Sequence, residues 1–298
     1  MNTTLYIIGN GFDIANKLPT SYEELKNYLL RKCEEPKRNL SATVAKVFDH
    51  KIELNPNDTH HIEIMIKMID SALNRIYGKK TMKKWRHFED ILGRLVYEDL
   101  GKNKNDITGE DIHRAFIHLR DYLKEWIEAV DLSKAKVIDG FPQKRDALFL
   151  SFNYTLTLEN VYHVFADNIC HIHGMNGEDE LIFGHKDLKE KMNGNKTDAD
   201  RQVAIVREIF WKDTEECYNQ YIDFFNKINA DIKEVISIGF SYSDADIYYI
   251  KKIIKQVGNN TTWYLYNYKW QETIFYKFKI RKCGFRGKIR MFKNIGAK

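Results

Sequence analysis

Leu5-Tyr6-Ile7-Ile8-Gly9-Asn10-Gly11-Phe12-Asp13 is the stretch that decides the fold class of this chain. Four β-prone apolar residues in an unbroken run read as a strand buried on both faces. The run stops at two glycines one residue apart, which permit a tight turn and the close approach of a ligand or another backbone. Free N–H groups at such a turn suit phosphate. A full dinucleotide fingerprint would add a third glycine and an acid about 20 residues on. Neither is clear here, so a plain structural turn fits the residues as well. A helix starts near Ser21, where Ser21 and Glu24 have the spacing of a capping box.

Beyond that first unit the pattern is helical from about Arg31 to Val130, with apolar residues at helical spacing such as Ile62, Met65, Ile66, Ile69 and Leu73. Strand signals return at Ala147–Ser151, Asn168–His173, Glu180–Phe183, Glu234–Gly239 and Thr261–Asn267. Helical stretches at Thr157–Phe165, Ala204–Asn229 and Asp244–Val257 separate several of them. Short apolar strands alternating with helices predict a mainly parallel, Rossmann-like α/β sheet flanked by helices. The expected division is a nucleotide-binding domain of residues 1–30 and 145–298, with 31–144 as an α-helical insertion after the first βα unit.

Composition narrows the class. The 298 residues are 43% hydrophobic and 30% charged, with a net charge of +5, an ordinary globular balance. No apolar run approaches the roughly 18–20 residues of a membrane span. The N-terminus reads as a buried strand, not a secretion signal, so a cytoplasmic protein without membrane association is expected. Cys33, Cys170, Cys217 and Cys283 form no C-x-x-C pair, so reduced thiols are expected and no metal. Basic residues crowd the C-terminus, among them Lys277, Lys279, Arg281, Lys282, Arg286, Lys288, Arg290 and Lys293, interleaved with Phe and Tyr. That pattern fits the solvated face of two terminal strands, a surface for nucleic acid, or a field that draws an anionic dinucleotide.

Candidate chemistry falls where strands end, the edge on which ligands bind in open α/β sheets. Asn153, in Ser151-Phe152-Asn153-Tyr154-Thr155, has the residue type to hold a ribose hydroxyl or a water, or to cap a helix. His171 and His173, two apart, would share a strand face and suit a general base better than a metal. Gly239-Phe240-Ser241 offers a glycine and a hydroxyl for phosphate or ribose, with Ser243 or Asp244 as a helix cap. Asn267 closes the strand that follows.

These blocks, taken in order with Leu18-Pro19-Thr20-Ser21-Tyr22, Trp85, Phe88-Glu89 and Phe183-Gly184-His185, resemble the phage abortive-infection AbiH family over nearly the whole chain. That family is in turn similar to sirtuin-like NAD-binding domains, although Lys17 stands where sirtuins usually carry Gly and the sirtuin zinc cysteines are missing. The resemblance implies an anti-phage protein that binds NAD as substrate and hydrolyses it to nicotinamide and ADP-ribose. It implies His173 as general base or ribose-hydroxyl partner and Asn153 positioning ribose or the attacking water. Gly9, Asn10, Gly11 and Phe12 would cradle pyrophosphate through backbone N–H groups, and Asp13 would bind a ribose hydroxyl. Gly239, Ser241 and Asn267 would hold the adenosine half, with Glu89 and His185 carried by the resemblance alone. A phage-derived trigger and a homo-oligomer are compatible partners. Two other readings stay open: a nucleotide-binding sensor without turnover, and a nucleic-acid-binding protein or nuclease.

Overall fold

The computed structural model describes residues 3–39, 56–78, 84–138, 141, 147–186, 197–266 and 270–293. They fall into two compact units. One comprises Met1–Thr20, Ile127–Ile182 and Asp213–Lys298; the other Ser21–Trp126 and Phe183–Lys212. The second unit therefore takes in a stretch after residue 182 that the sequence pattern assigns to the nucleotide-binding domain.

The first unit is built on one six-stranded sheet: β1 (Thr4–Ile8), β2 (Ala147–Ser151), β3 (Ile169–His171), β4 (Glu234–Ile238), β5 (Thr262–Tyr266) and β6 (Lys288–Phe292). The order across it is β3-β2-β1-β4-β5-β6, and every neighbouring pair is parallel. This is the Rossmann-like order, in which the chain builds outward from β1 on one side and returns to build outward from β1 on the other. β1 is central and buried along its whole length, which is why it reads as an uninterrupted apolar run rather than an alternating one. Its side chains still alternate between faces. Leu5 and Ile7 join one core with Leu148, Leu150, Val235 and Trp263. Tyr6 and Ile8 join the other with Phe149, Ile236, Ile238 and Phe12. Tyr6 stacks on Phe149 with ring centroids 4.8 Å apart.

Several elements differ from the sequence pattern. Residues 180–183 form no strand, and the strand expected over Asn168–His173 stops at His171. The stretch Ala204–Asn229 is divided among three helices, Asp198–Ile209, Thr214–Gln220 and Ile222–Asn226. The helix expected over Thr157–Phe165 is the single turn Thr157–Asn160. The basic C-terminus is a helix, Trp270–Lys282, followed by the edge strand β6, not two strands.

The second unit is helical. Its helices include Tyr22–Asn39, Pro56–Tyr77, Phe88–Leu92, Gly109–Ile117 and Asp198–Ile209. Gly109–Ile117 packs on Asp198–Ile209, and each begins with a capping box: Thr108 with Asp111, and Thr197 with Asp200. Among the described residues no helix is long and apolar enough to cross a membrane. All four cysteines are free thiols, and Cys33, Cys170 and Cys217 are buried.

Candidate functional site at the carboxyl edge of the sheet

The strand order sets out the candidate residues in a row. Asn153 follows β2, Asn10 follows β1 and Ser241 follows β4, with His173 two residues past β3. Four adjacent strand ends span about 14 Å at the usual spacing. The crevice of such a sheet opens where the order reverses, between β1 and β4.

At that crossing the two loops lie backbone against backbone. A Cβ on Gly9 would sit 2.7 Å from the Gly239 carbonyl oxygen, and one on Gly11 2.7 Å from the Gly239 Cα. Gly239, at φ +66°, would place a Cβ 2.1 Å from the Phe12 nitrogen. The N–H of Gly9 donates to Ile238 O at 3.0 Å, that of Gly11 to Gly239 O at 2.9 Å, and that of Phe12 to Gly9 O at 2.8 Å. This corrects the expected cradle: those three N–H groups are spent within the protein, because the glycines serve contact between two loops. The Phe12 side chain is buried against Phe141 and Tyr162. Asn10 donates from Nδ2 to the Thr20 carbonyl at 2.6 Å.

Beside the crossing, Asp13 is buried at 1% exposure in the short helix Gly11–Ala15. Thr155 donates its hydroxyl to Asp13 Oδ2 at 2.5 Å, and Thr155 and Thr157 hydroxyls lie 2.9 Å apart. Burial pushes the Asp13 carboxyl up to about 6, while side-chain hydrogen bonds from Thr155, Thr157 and Asn153 and the nearby His171 restrain the rise. The Asn153 side chain lies near enough to lower the Asp13 pKa, but Asp13 Oδ1 and Asn153 Oδ1 are both buried without a hydrogen bond of good geometry in the protein. Buried polar atoms normally find partners, so two orphaned acceptors in one cluster mark a place shaped for a donor. A ribose hydroxyl or a water has that chemistry.

Asn153 itself is fixed by its backbone. Its N–H donates to Ser151 Oγ at 3.2 Å, and its carbonyl accepts from His171 Nδ1 at 2.9 Å. His171 Nε2 meets Glu159 Oε1 at 2.8 Å. Because a carbonyl accepts only, Nδ1 carries a proton, and Nε2 faces a carboxylate. Burial disfavours a charged His171 ring, but the Glu159 hydrogen bond and charge, with the Asn153 carbonyl, outweigh it and raise its pKa. His171 thus braces the Asn153 backbone from behind.

His173 has different surroundings. It lies beyond the strand, so the two histidines do not share a strand face. Its ring is buried, edge-on to Phe152 at 5.3 Å and Tyr249 at 5.9 Å. Nε2 is 3.5 Å from Asp246 Oδ1, and Ser243 Oγ donates to Asp246 Oδ2 at 2.7 Å. Asp246 takes the N-cap position of the helix Ile247–Gln256 without a side-chain cap bond, while Ser243 Oγ accepts the Asp246 N–H at 3.2 Å and caps the turn that leads into it. Phe152 also packs on Phe240 at 4.4 Å, joining the loops after β2 and β4. Ser241 is exposed, whereas the next residue, Tyr242, is buried at φ +54°. Its hydroxyl shares a buried triad with Ser237 Oγ at 2.5 Å and Trp263 Nε1 at 2.9 Å. Asn267 lies outside the described residues.

Glu89 and His185 belong to the helical unit. Glu89 Oε2 accepts from Lys212 Nζ at 2.9 Å and from the Gly184 N–H at 3.1 Å, and Oε1 accepts from the Tyr22 hydroxyl. Burial alone would raise the Glu89 pKa, but Lys212 and these donors hold it low. His185 Nε2 meets the Arg207 carbonyl at 2.7 Å. Among the described residues no three His, Cys, Asp or Glu side chains gather as metal ligands.

Asp246, Glu159 and Thr155 carry no functional role in the sequence reading. The only local hint was the acid-rich run Ser243-Asp244-Ala245-Asp246; the pairings themselves join residues 12 to 142 positions apart. Compared with known families, the chain matches the family model described as "Bacteriophage abortive infection AbiH" over residues 5–268. No curated protein and no solved structure matches it.

Proposed function

The chain belongs to the bacteriophage abortive infection AbiH family, and from that premise we propose that it binds a dinucleotide such as NAD at the carboxyl edge of its sheet and hydrolyses it. Membership suggests a role in phage defence. The observation that carries the nucleotide reading is the pair of orphaned acceptors, Asp13 Oδ1 and Asn153 Oδ1, buried beside the reversal of strand order.

Nicotinamide in NAD is already cationic and leaves without prior protonation. The C1′–N bond breaks with its electron pair going to nicotinamide, and positive charge spreads over the ribose as in glycoside cleavage. Asp13, ionised above about pH 6, accepts from a ribose hydroxyl and stabilises that charge. Asn153, braced by His171, orients the attacking water. The water oxygen bonds C1′, and its proton passes to His173, whose ring Asp246 orients. With the Gly9, Gly11 and Phe12 N–H groups already bonded, pyrophosphate falls to side chains such as Ser241 and Asn10.

The test is release of nicotinamide from NAD by the purified full chain, followed by chromatography, for the parent, His173→Ala and Asn153→Ala. Loss of a general base costs about 10²- to 10⁴-fold in rate, so His173→Ala should fall by that much with unchanged circular dichroism. Undiminished release would remove His173 from the reaction. NAD bound with no product formed, also in the presence of phage lysate as trigger, would favour the sensor reading. The burial of the His173 ring between Phe152 and Tyr249 gives that second reading its footing.

A further inference from the structure

The opposite edge of the same sheet carries a second surface. Ten basic residues stand in the last thirty positions against one acid, Glu272, while the first 268 residues are net acidic, with 37 basic and 41 acidic side chains. The structure concentrates part of that charge. A cleft of about 670 Å³ opens at the amino ends of β5 and β6, lined by Asn259, Asn260, Thr262, Arg281, Arg286 and Lys288. Thr262 and Lys288 are the first residues of their strands, so the cleft faces away from the carboxyl-edge site. Glu234 is level with Thr262 on β4 but does not line the cleft. Arg281 is preset: its guanidinium donates to Phe285 O at 2.8 Å and lies over the Phe285 ring.

The helix leading into this cleft, Trp270–Lys282, buries Ile280 but leaves other apolar residues in solvent. Ile274 and Phe275 are each 53% exposed and Phe278 is 63% exposed. Phe278 sits three residues before Arg281, so the exposed ring shares a helix face with one of the cations that line the cleft. Cations and amide and hydroxyl groups in a concave cleft, with an unburied aromatic ring beside it, match a phosphodiester backbone with bases free to stack. A duplex offers no unstacked base, and a flat anionic membrane does not enter a cleft.

We propose that the β5–β6 cleft and the face of Trp270–Lys282 bind single-stranded nucleic acid, at a site separate from the dinucleotide edge. The test is fluorescence anisotropy of the full chain with a labelled single-stranded RNA of about 20 nucleotides, long enough for one or two binding sites. Binding should weaken with salt at a log–log slope of about −0.7 per phosphate contacted. The exposed pair Arg286→Glu with Lys288→Glu should weaken it at least about tenfold and flatten the slope by about 1.4. Phe278→Ala should weaken it about fivefold or more and leave the slope unchanged. A duplex of the same length should bind less tightly, and nicotinamide release should not respond to any of these changes. The proposal is overturned if the RNA does not bind at low salt, or if the parent and both variants bind alike. Equal affinity for duplex with Phe278→Ala silent, or capture of phosphatidylserine vesicles in place of RNA, overturns it as well.

Discussion

Asp13 couples its own burial to pH. The carboxyl titrates at about 6 in the folded chain against 3.8 when free. An unfolded chain therefore releases this proton first, and the folded state is disfavoured as pH rises. The group's contribution is intact below about pH 4 and lost by about pH 6, on the order of 3 kcal/mol in all. Asp13→Asn keeps an oxygen to accept from Thr155 and removes the charge. Urea unfolding should then show the variant gaining on the parent between pH 4.5 and 8; a constant difference would remove Asp13 as the source. His171 has the same sign at a higher pH. Its pKa is raised, so its stabilisation is full below the free-histidine value and fades as pH climbs past the raised one. Glu159→Gln should bring the His171 ring titration down when followed by NMR. Lys17 is a simpler case, exposed with φ +65°. Left-handed backbone costs a side-chain-bearing residue about 1–2 kcal/mol, and glycine's extra freedom when unfolded returns about 0.4–1 of that. Lys17→Gly should therefore raise the melting temperature slightly. Lys17 thus holds a conformation that glycine would adopt without strain.

The strands most legible in the chain were those buried on both faces. Leu5–Ile8, Ala147–Ser151 and Glu234–Gly239 lie within one residue of β1, β2 and β4. Runs such as Ala-Leu-Phe-Leu-Ser have no solvent side to blur them. The C-terminal helix misled because Tyr276-Lys277-Phe278-Lys279-Ile280-Arg281 alternates apolar and basic residues, the signature of a half-buried strand. As a helix the same residues place Phe278 in solvent, on the face that carries Arg281. His173 and Asn153 stood out as residue types beyond strand ends, but their partners did not. Asp246 is brought to His173, and His171 to Asn153, by strand order, which a sequence does not print. Nor does it distinguish glycines that meet a ligand from glycines that meet another loop. That distinction yields a contrast. Gly239→Ala drives a Cβ into the Phe12 nitrogen at a positive φ, while Gly177, at φ +95°, has nothing within 4 Å of its would-be Cβ. Gly177→Ala should cost only the backbone strain, about 1–2 kcal/mol. Gly239→Ala should cost well over about 3 kcal/mol, or leave no soluble folded chain, since neither backbone can yield. Equal unfolding midpoints for the two variants would refute the close crossing of the loops.

Each compact unit is assembled from discontinuous stretches, so the chain passes between them several times. For the segment Phe183–Lys212 the tie to its unit can be named. Lys212, 2% exposed, sits at the segment's end and holds Glu89, which also receives the Gly184 N–H from the segment's beginning and the Tyr22 hydroxyl from the first helix. One carboxylate thus joins both ends of the segment to two helices of the unit. Removing one partner of a buried ion pair strands the other charge, at about 3–5 kcal/mol, whereas replacing both with apolar groups is often neutral. The Glu89 side chain is 26% exposed against 1% for Lys212, so solvent offsets part of that cost: Lys212→Met should destabilise by less than the fully buried figure, and Lys212→Met with Glu89→Leu should recover only part of the loss, because the Leu leaves the Gly184 N–H and Tyr22 hydroxyl unsatisfied. Hydrogen exchange locates the effect. In Lys212→Met, amides of Tyr22–Asn39, Phe88–Leu92 and Asp198–Ile209 should exchange faster, while those of β1, β2 and β4 keep their protection. Acceleration of the central strands to the same degree would mean that the two units open as one, and that the Glu89–Lys212 pair secures the whole chain and not the helical unit alone.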